Sequence, residues 1–288
     1  MYAQQNEKMW WRYFSDVPTP SININRYSRF HLSGGAALVV LAIASILAPW
    51  SRGFGQTFAG SGTTPMTLNQ VVDRMVADNA ERAKLLESYR GTRTYTLVYK
   101  GFPSRLYAQM VVNVRYTAPD HKEFSVVSRS GPKWMQDQVM MRLLKSEKDA
   151  QQGKNRKNVD LNTDNYTFSN LEYHAAPDHC SYRLTVQPKT PTKYLYRGNI
   201  WINDRAFAVC RIEAQPAKNP SFWIRSTNIS HSYEQIGQFW LPHKNVSVSA
   251  IRIGGLATLS IRYENYQILS AKPAPSDPTA LSEDEGAR

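Results

Sequence analysis

The chain has 288 residues, with 35 Lys+Arg against 23 Asp+Glu and a formal net charge of +12. That length allows one large domain or two small ones, and 42% apolar residues are enough for a sizeable core. With 11% aromatics, 15 Gly and 2 Cys, the composition excludes a collagen-like, wholly disordered or multi-spanning membrane chain, and also a disulfide scaffold or a thiolate zinc site.

Residues 1–31 form a leader ahead of the one long apolar run, Leu32–Trp50. At about 1.5 Å per residue this run makes a helix of roughly 28 Å, close to the hydrocarbon thickness of a bilayer. Arg26 and Arg29 precede it, so the positive-inside rule orients it N-in and C-out and exports the bulk of the protein. Two fates stay open, cleavage as a signal and retention as an inner-membrane anchor. The leader is long for a signal peptide, and Thr57-Phe58-Ala59 is a weak cleavage site. The exported part remains basic, which suits anionic lipid surfaces or polyanionic envelope polymers; outside the cytoplasm nucleic acid is not an expected partner.

Residues 51–66 are rich in Gly, Ser and Thr and read as a linker to a domain spanning 67–271. Thr67 opens an amphipathic helix, with Gln70 as its capping-box partner and Leu68, Val71, Val72, Met75, Val76, Ala83 and Leu86 on one stripe. Gly91 is the expected stop. From Thr92 the period changes to two. Leu106, Ala108, Met110, Val112, Val114 and Tyr116 alternate with a mostly polar set, the pattern of an antiparallel strand with one covered face. Further strands are expected near 93–100, 122–130, 166–175, 180–187, 194–203, 206–214, 222–235, 239–253 and 256–268, separated by turn signals such as Ala118-Pro119-Asp120 and Gly254-Gly255.

About ten strands joined in succession read as a meander. Residues 133–147 interrupt it as a second helix with Met135, Val139, Met140, Leu143 and Leu144 on one side, followed by a polar loop over 148–165. From Lys272 a Pro/Ala/Ser tail ending in acidic residues reads as disordered.

The fold class expected is therefore α+β: an antiparallel curved sheet, an unclosed half-barrel with a helical lid, and an N-terminal membrane helix. Leu106, Met110, Val112 and Val114 on the sheet, with Met135, Val139, Met140 and Leu143 on the lid, would line an apolar cavity between them. A loose lid makes that cavity a site for acyl chains or lipidated proteins; a tight one makes it core. Methionine, unbranched and adaptable, suits either.

The C-terminal half also carries a family resemblance. Tyr196-Arg197-Gly198-Asn199-Ile200-Trp201-Ile202-Asn203-Asp204, then Asn219-Pro220-Ser221-Phe222-Trp223-Ile224, Tyr233-Glu234-Gln235-Ile236-Gly237, Phe239-Trp240-Leu241-Pro242 and Ile261-Arg262-Tyr263-Glu264-Asn265-Tyr266 resemble outer-membrane lipoprotein-sorting proteins of the lipoprotein carrier (LolA/LolB-like) superfamily. The resemblance covers roughly 67–268. It implies an unclosed β-barrel with a helical lid and a hydrophobic cavity for lipid-linked ligands; together with the apolar run that exports the chain, the expectation is a periplasmic, non-enzymatic binder of lipids or lipidated proteins. No family site residue maps onto this chain. The same architecture also serves envelope sensors that bind a membrane protein partner with the cavity self-filled.

No Gly-x-Ser-x-Gly elbow, His-Glu-x-x-His pair, Cys-x-x-Cys or phosphate-cradling glycine loop occurs, so neither an enzyme nor a cofactor is expected. His174 and His179 lie near Cys180, but their spacing across Pro177 suits no metal pairing, and no metal is expected. In an oxidising compartment Cys180 and Cys210 would pair. A plain meander instead sets their strands about 9–10 Å apart, two strand spacings, against a disulfide Cα separation near 5.5 Å. A disulfide and two free thiols both stay open.

Overall fold

The computed structural model describes residues 66–273, apart from 103, 120, 142, 146–159, 193, 220, 221, 223 and 253. The leader, the apolar run Leu32–Trp50, nearly all of the linker, residues 148–159 of the polar loop and the tail from 274 lie outside the described residues. Among the described residues, no helix is long and apolar enough to cross a membrane.

Helix α1 (Leu68–Leu85) starts where the capping box places it: Gln70 N–H donates to Thr67 Oγ1 at 3.4 Å, and Thr67 N–H donates to Gln70 Oε1 at 2.8 Å. Val71, Val72, Met75, Ala83 and Leu85 form its buried stripe. The stop expected at Gly91 comes earlier. Leu86 is already extended, and the chain passes without a glycine into strand β1 (Leu86–Lys100). Tertiary pairing overrides helix propensity here. Leu86 and Tyr89 pack with Phe239 and Leu241, and β1 pairs with the last strand from Leu86 onward. Lys272 N–H then donates to Leu85 O at 2.9 Å, satisfying a helix-end carbonyl and tying down the start of the expected tail.

Nine more strands follow: β2 (Leu106–Thr117), β3 (His121–Ser130), β4 (Tyr166–Tyr173), β5 (Tyr182–Pro188), β6 (Tyr196–Ile202), β7 (Val209–Pro216), β8 (Ile224–Ile236), β9 (Phe239–Ile251) and β10 (Leu256–Ala271). They form one antiparallel, unclosed sheet in the order β3-β2-β1-β10-β9-β8-β7-β6-β5-β4. The simple meander is corrected at two points. The first strand pairs with the last, and β3 and β4, consecutive in the chain, occupy opposite edges. The segment between Ser130 and Tyr166, which carries the lid, therefore connects the two free edges of the sheet.

One face of this sheet is covered. Leu184, Ile200, Ile212, His231, Asn245, Ile261, Tyr95 and Met110 are successive cross-strand partners from β5 to β2. All eight are at most 1% exposed. The opposite face, with Thr185, Asn199, Glu213, Ser230, Val246, Ser260, Thr96 and Gln109 in the adjacent row, is open to solvent to varying degrees.

Candidate functional site

The eight expected cavity residues come together on the covered face. Met110, Val112 and Val114 of β2 pack in one cluster with Met135, Val139, Met140 and Leu143 of the lid, and Leu106 packs against its margin. Tyr95, Leu97 and Tyr99 of β1 and Ala257, Leu259, Ile261 and Tyr263 of β10 complete it. This trough is filled. Met110, Val112, Met135, Val139 and Met140 are 0% exposed, so no water-sized void touches them.

The lid is wound unusually. Met135–Met140 has π geometry, entered from Pro132, whose carbonyl accepts from Met135 N–H at 3.0 Å and Gln136 N–H at 3.2 Å. Gln136 Nε2 donates to Gly131 O at 2.6 Å, and Arg129 pairs with Asp137 at 3.2 Å, fastening the turn to the end of β3. A π turn widens the helix and brings consecutive bulky side chains to one side; such turns recur at functional positions. Its apolar side chains pack on the sheet floor in one cluster.

Sequence reading missed the polar residues inside the covered face. Arg93 is 4% exposed, with its guanidinium 4.9 Å from the Tyr263 ring and 5.6 Å from Phe124, and Nη1 donates to Tyr95 Oη at 3.4 Å. Tyr233 Oη lies 3.3 Å from His231 Nδ1, and their rings stack at 4.4 Å. Burial, followed by the neighbouring Tyr263, pushes the Tyr233 phenol up. Thr227 and Ser249 bond at 2.8 Å. The signal existed: Arg93 occupies an inward position of the alternation, two residues before Tyr95. Assembled, these groups form a polar seam beside the apolar trough.

Cys180 and Cys210 are disulfide-bonded, with Cα atoms 6.2 Å apart. The distance objection fails locally, although β5, β6 and β7 are adjacent in the expected order. Cys180 precedes β5 and stands outside its ladder. Cys210 is the extra residue of a bulge, since Trp201 pairs with Arg211 while Ile202 pairs with Val209. The loop before β5 curls over the end of β6, where Asp204 N–H donates to His179 O at 2.8 Å. His179 pairs with Asp204 at 3.2 Å and His174 with Glu172 at 3.7 Å. Among the described residues no three metal-ligating side chains cluster.

Two further grooves lie on the open face. One, of about 620 Å³, is lined by residues of β1, β2, β3 and β10, including Arg90, Asn113, Arg115, Glu123 and Gln267. The other, of about 690 Å³, spans β5 to β9 and is lined by Gln187, Arg197, Asn199, Gln215 and Asn228 among others.

The chain is similar to several solved structures at low sequence identity. A LolA superfamily protein from Nitrosomonas europaea aligns at 12% identity over 73% of this chain and 96% of its own, with a TM-score of 0.33. A DUF1329 family protein from Desulfovibrio piger aligns at 13% identity over 69% of this chain and 92% of its own, with a TM-score of 0.35. A putative outer membrane lipoprotein-sorting protein domain from Vibrio parahaemolyticus gives 9%, 69%, 91% and 0.34. No protein-family model matches the chain, and no curated protein matches it.

Proposed function

We propose that this protein is an exported, non-enzymatic binder of lipids or lipidated proteins, whose acyl chains take the place of the lid in the trough. Leu32–Trp50 would deliver it to the periplasm, either released or held at the inner membrane. The observation that carries the reading is the packing of Met135, Val139, Met140 and Leu143 against Met110, Val112 and Val114 by apolar contact. A ligand that mimics those side chains can replace them. Four such side chains contribute about 1.5–3 kcal/mol each on burial, and an acyl chain returns about 0.8 kcal/mol per methylene, so roughly 8–15 methylenes match the lid. Membrane acyl chains fall in that range.

A specific observation favours a second reading. The complete exclusion of water from Met135, Val139 and Met140 is what an interaction module with a self-filled core would show, its partner then being a membrane protein.

Organic extraction of the full-length protein, purified from the envelope of its expression host, followed by mass spectrometry separates the two. Acyl species near one per chain support the binder, and lost loading in Met110→Asp would place them in the trough. A lipid-free protein that also refuses added acyl chains overturns the binder and leaves the module.

A further inference from the structure

On the open face, away from the lid, Arg90 of β1 stands directly across from Arg115 of β2. Like charges in that relation repel, and the one carboxylate lining the groove, Glu123, ion-pairs with neither among the described residues. Arg90 Nε donates to the neutral amide oxygen of Gln267 at 2.7 Å, and Arg115 makes no ion pair among the described residues. Glu123 is the β3 partner of Arg115, but its carboxylate is engaged by His121 at 3.1 Å. Two guanidiniums thus line one groove with most of their donors unspent.

The groove is also shaped locally. Arg90 pairs with Gln267 and Thr92 with Glu264, so a single residue, Gly91, opposes Asn265 and Tyr266. This is a β-bulge, and Asn265 takes a left-handed φ of 57° within it. A Cβ at Gly91 would lie 3.2 Å from the Tyr266 ring, so glycine accommodates the bulge closely. Asn265 and Gln267 line the groove together with Thr92 and Asn113. Bulges of this kind re-aim side chains beside binding sites.

We infer that the Arg90–Arg115 groove binds a phosphate ester carried on a polyol or sugar. Paired guanidiniums match the fork geometry of phosphate oxygens. A bare phosphate would occupy a small part of about 620 Å³, and the surrounding amides and the Thr92 hydroxyl supply donors and acceptors for hydroxyl groups. The phosphate ester can come from an anionic lipid head group or from a soluble ester. The site stands on the other face of the sheet from the trough, so it holds whatever fills the trough.

Two titrations of the full-length protein at low salt test this, one with glycerol phosphate by calorimetry and one with vesicles of phosphatidylcholine with and without phosphatidylglycerol by co-flotation. Saturable binding is expected in at least one arm, weakened tenfold or more by Arg90→Gln and by Arg115→Gln, and unchanged by Arg225→Gln on β8. Glu123→Gln, which removes the one lining carboxylate, should tighten it; this variant serves even where an arginine variant fails to fold. Binding of glycerol phosphate points to a soluble ester, and binding only to phosphatidylglycerol vesicles points to a head group. No saturable binding in either arm, binding indifferent to both arginines, or inorganic phosphate bound as tightly as glycerol phosphate overturns the inference.

Discussion

His231 of β8 lies directly across from Asn245 of β9 in the middle of an otherwise largely apolar row, and each is only 1% exposed. Asn245 Oδ1 accepts from Ser247 Oγ at 3.4 Å, while Asn245 Nδ2 is buried with no hydrogen-bond partner. A buried donor left unmade costs about 1–3 kcal/mol. Asn245→Leu, branched at Cγ as asparagine is, removes that donor and should raise stability by about 1 kcal/mol and Tm by roughly 2–4 °C for a domain of this size. Thermal unfolding reads this directly, and a fall of that amount would mean the amide has a role in holding His231.

The lid offers a second measurement. Met140→Ala removes a fully buried side chain and should cost about 2–5 kcal/mol if the site cannot collapse. In the binder, that loss falls on the closed state, so uptake of a fluorescent fatty acid should rise. Equal destabilisation with no gain in uptake would assign the lid to the core alone.

Gly198 of β6 predicts a contrast with Gly237. A Cβ at Gly198 would sit 2.3 Å from Glu213 O and 2.6 Å from Ala214 Cα, both backbone atoms of β7. Gly198→Ala must therefore push β6 away from its partner β7 and should cost more than about 3 kcal/mol. Gly237 has a φ of 60° but nothing within 4 Å of its Cβ position. Its Ala variant carries only the left-handed penalty, about 1 kcal/mol. Denaturant midpoints of the two variants give the ordering.

These examples show which levels of structure were local. All ten strands, the capping box at Thr67 and the one-sided burial of β2 follow from alternation, turn chemistry and capping within a few residues, so the chain itself spells them out. The pairing of β1 with β10 joins Leu86 to Ala271 with no turn between them, and no local pattern encodes it. The helix end failed for the same reason: Gly91 has the chemistry of a stop, but packing of Leu86 and Tyr89 against Phe239 acts first. The disulfide was obscured by a bulge, and the Arg90–Arg115 groove by a second one, because each bulge shifts register without a fixed residue signature. The packing of the two apolar stripes against each other was legible, since stripes without other partners must meet. Whether they would enclose a void depended on side-chain volumes that periodicity does not measure.

The Cys180–Cys210 bond closes a loop with a sequence separation of 30. The chain-entropy relation gives about 3–4 kcal/mol for such a loop. Replacing both cysteines with serine should lower Tm by roughly 6–16 °C, with the loss seen first as faster amide exchange in the loop from Ala175 to Ser181. Unchanged exchange there would show that the hydrogen bond from Asp204 N–H to His179 O holds the loop without the covalent link.

Alkaline pH should unfold the protein through its tyrosines. Tyr166 accepts a hydrogen bond from Tyr196 N–H at 3.3 Å, and burial pushes both phenols up, that of Tyr196 with added repulsion from Tyr166 and Tyr233. Burial, then Tyr89, raises Tyr266 likewise. In the unfolded chain these groups ionise near pH 10, as free tyrosine does. Below that pH both states hold the proton and stability is unaffected. Above it the unfolded state releases protons that the folded state keeps, so stability falls, by up to about 1.4 kcal/mol per pH unit for each such tyrosine. Several acting together should bring a steep, cooperative loss between roughly pH 10 and 12. Absorbance of phenolate and far-ultraviolet circular dichroism, followed together, should change in one step. Tyr196→Phe, which also removes a hydroxyl with no hydrogen-bond partner, should shift that step to higher pH. Gradual phenolate formation well before the fold is lost would show that these phenols are open to solvent.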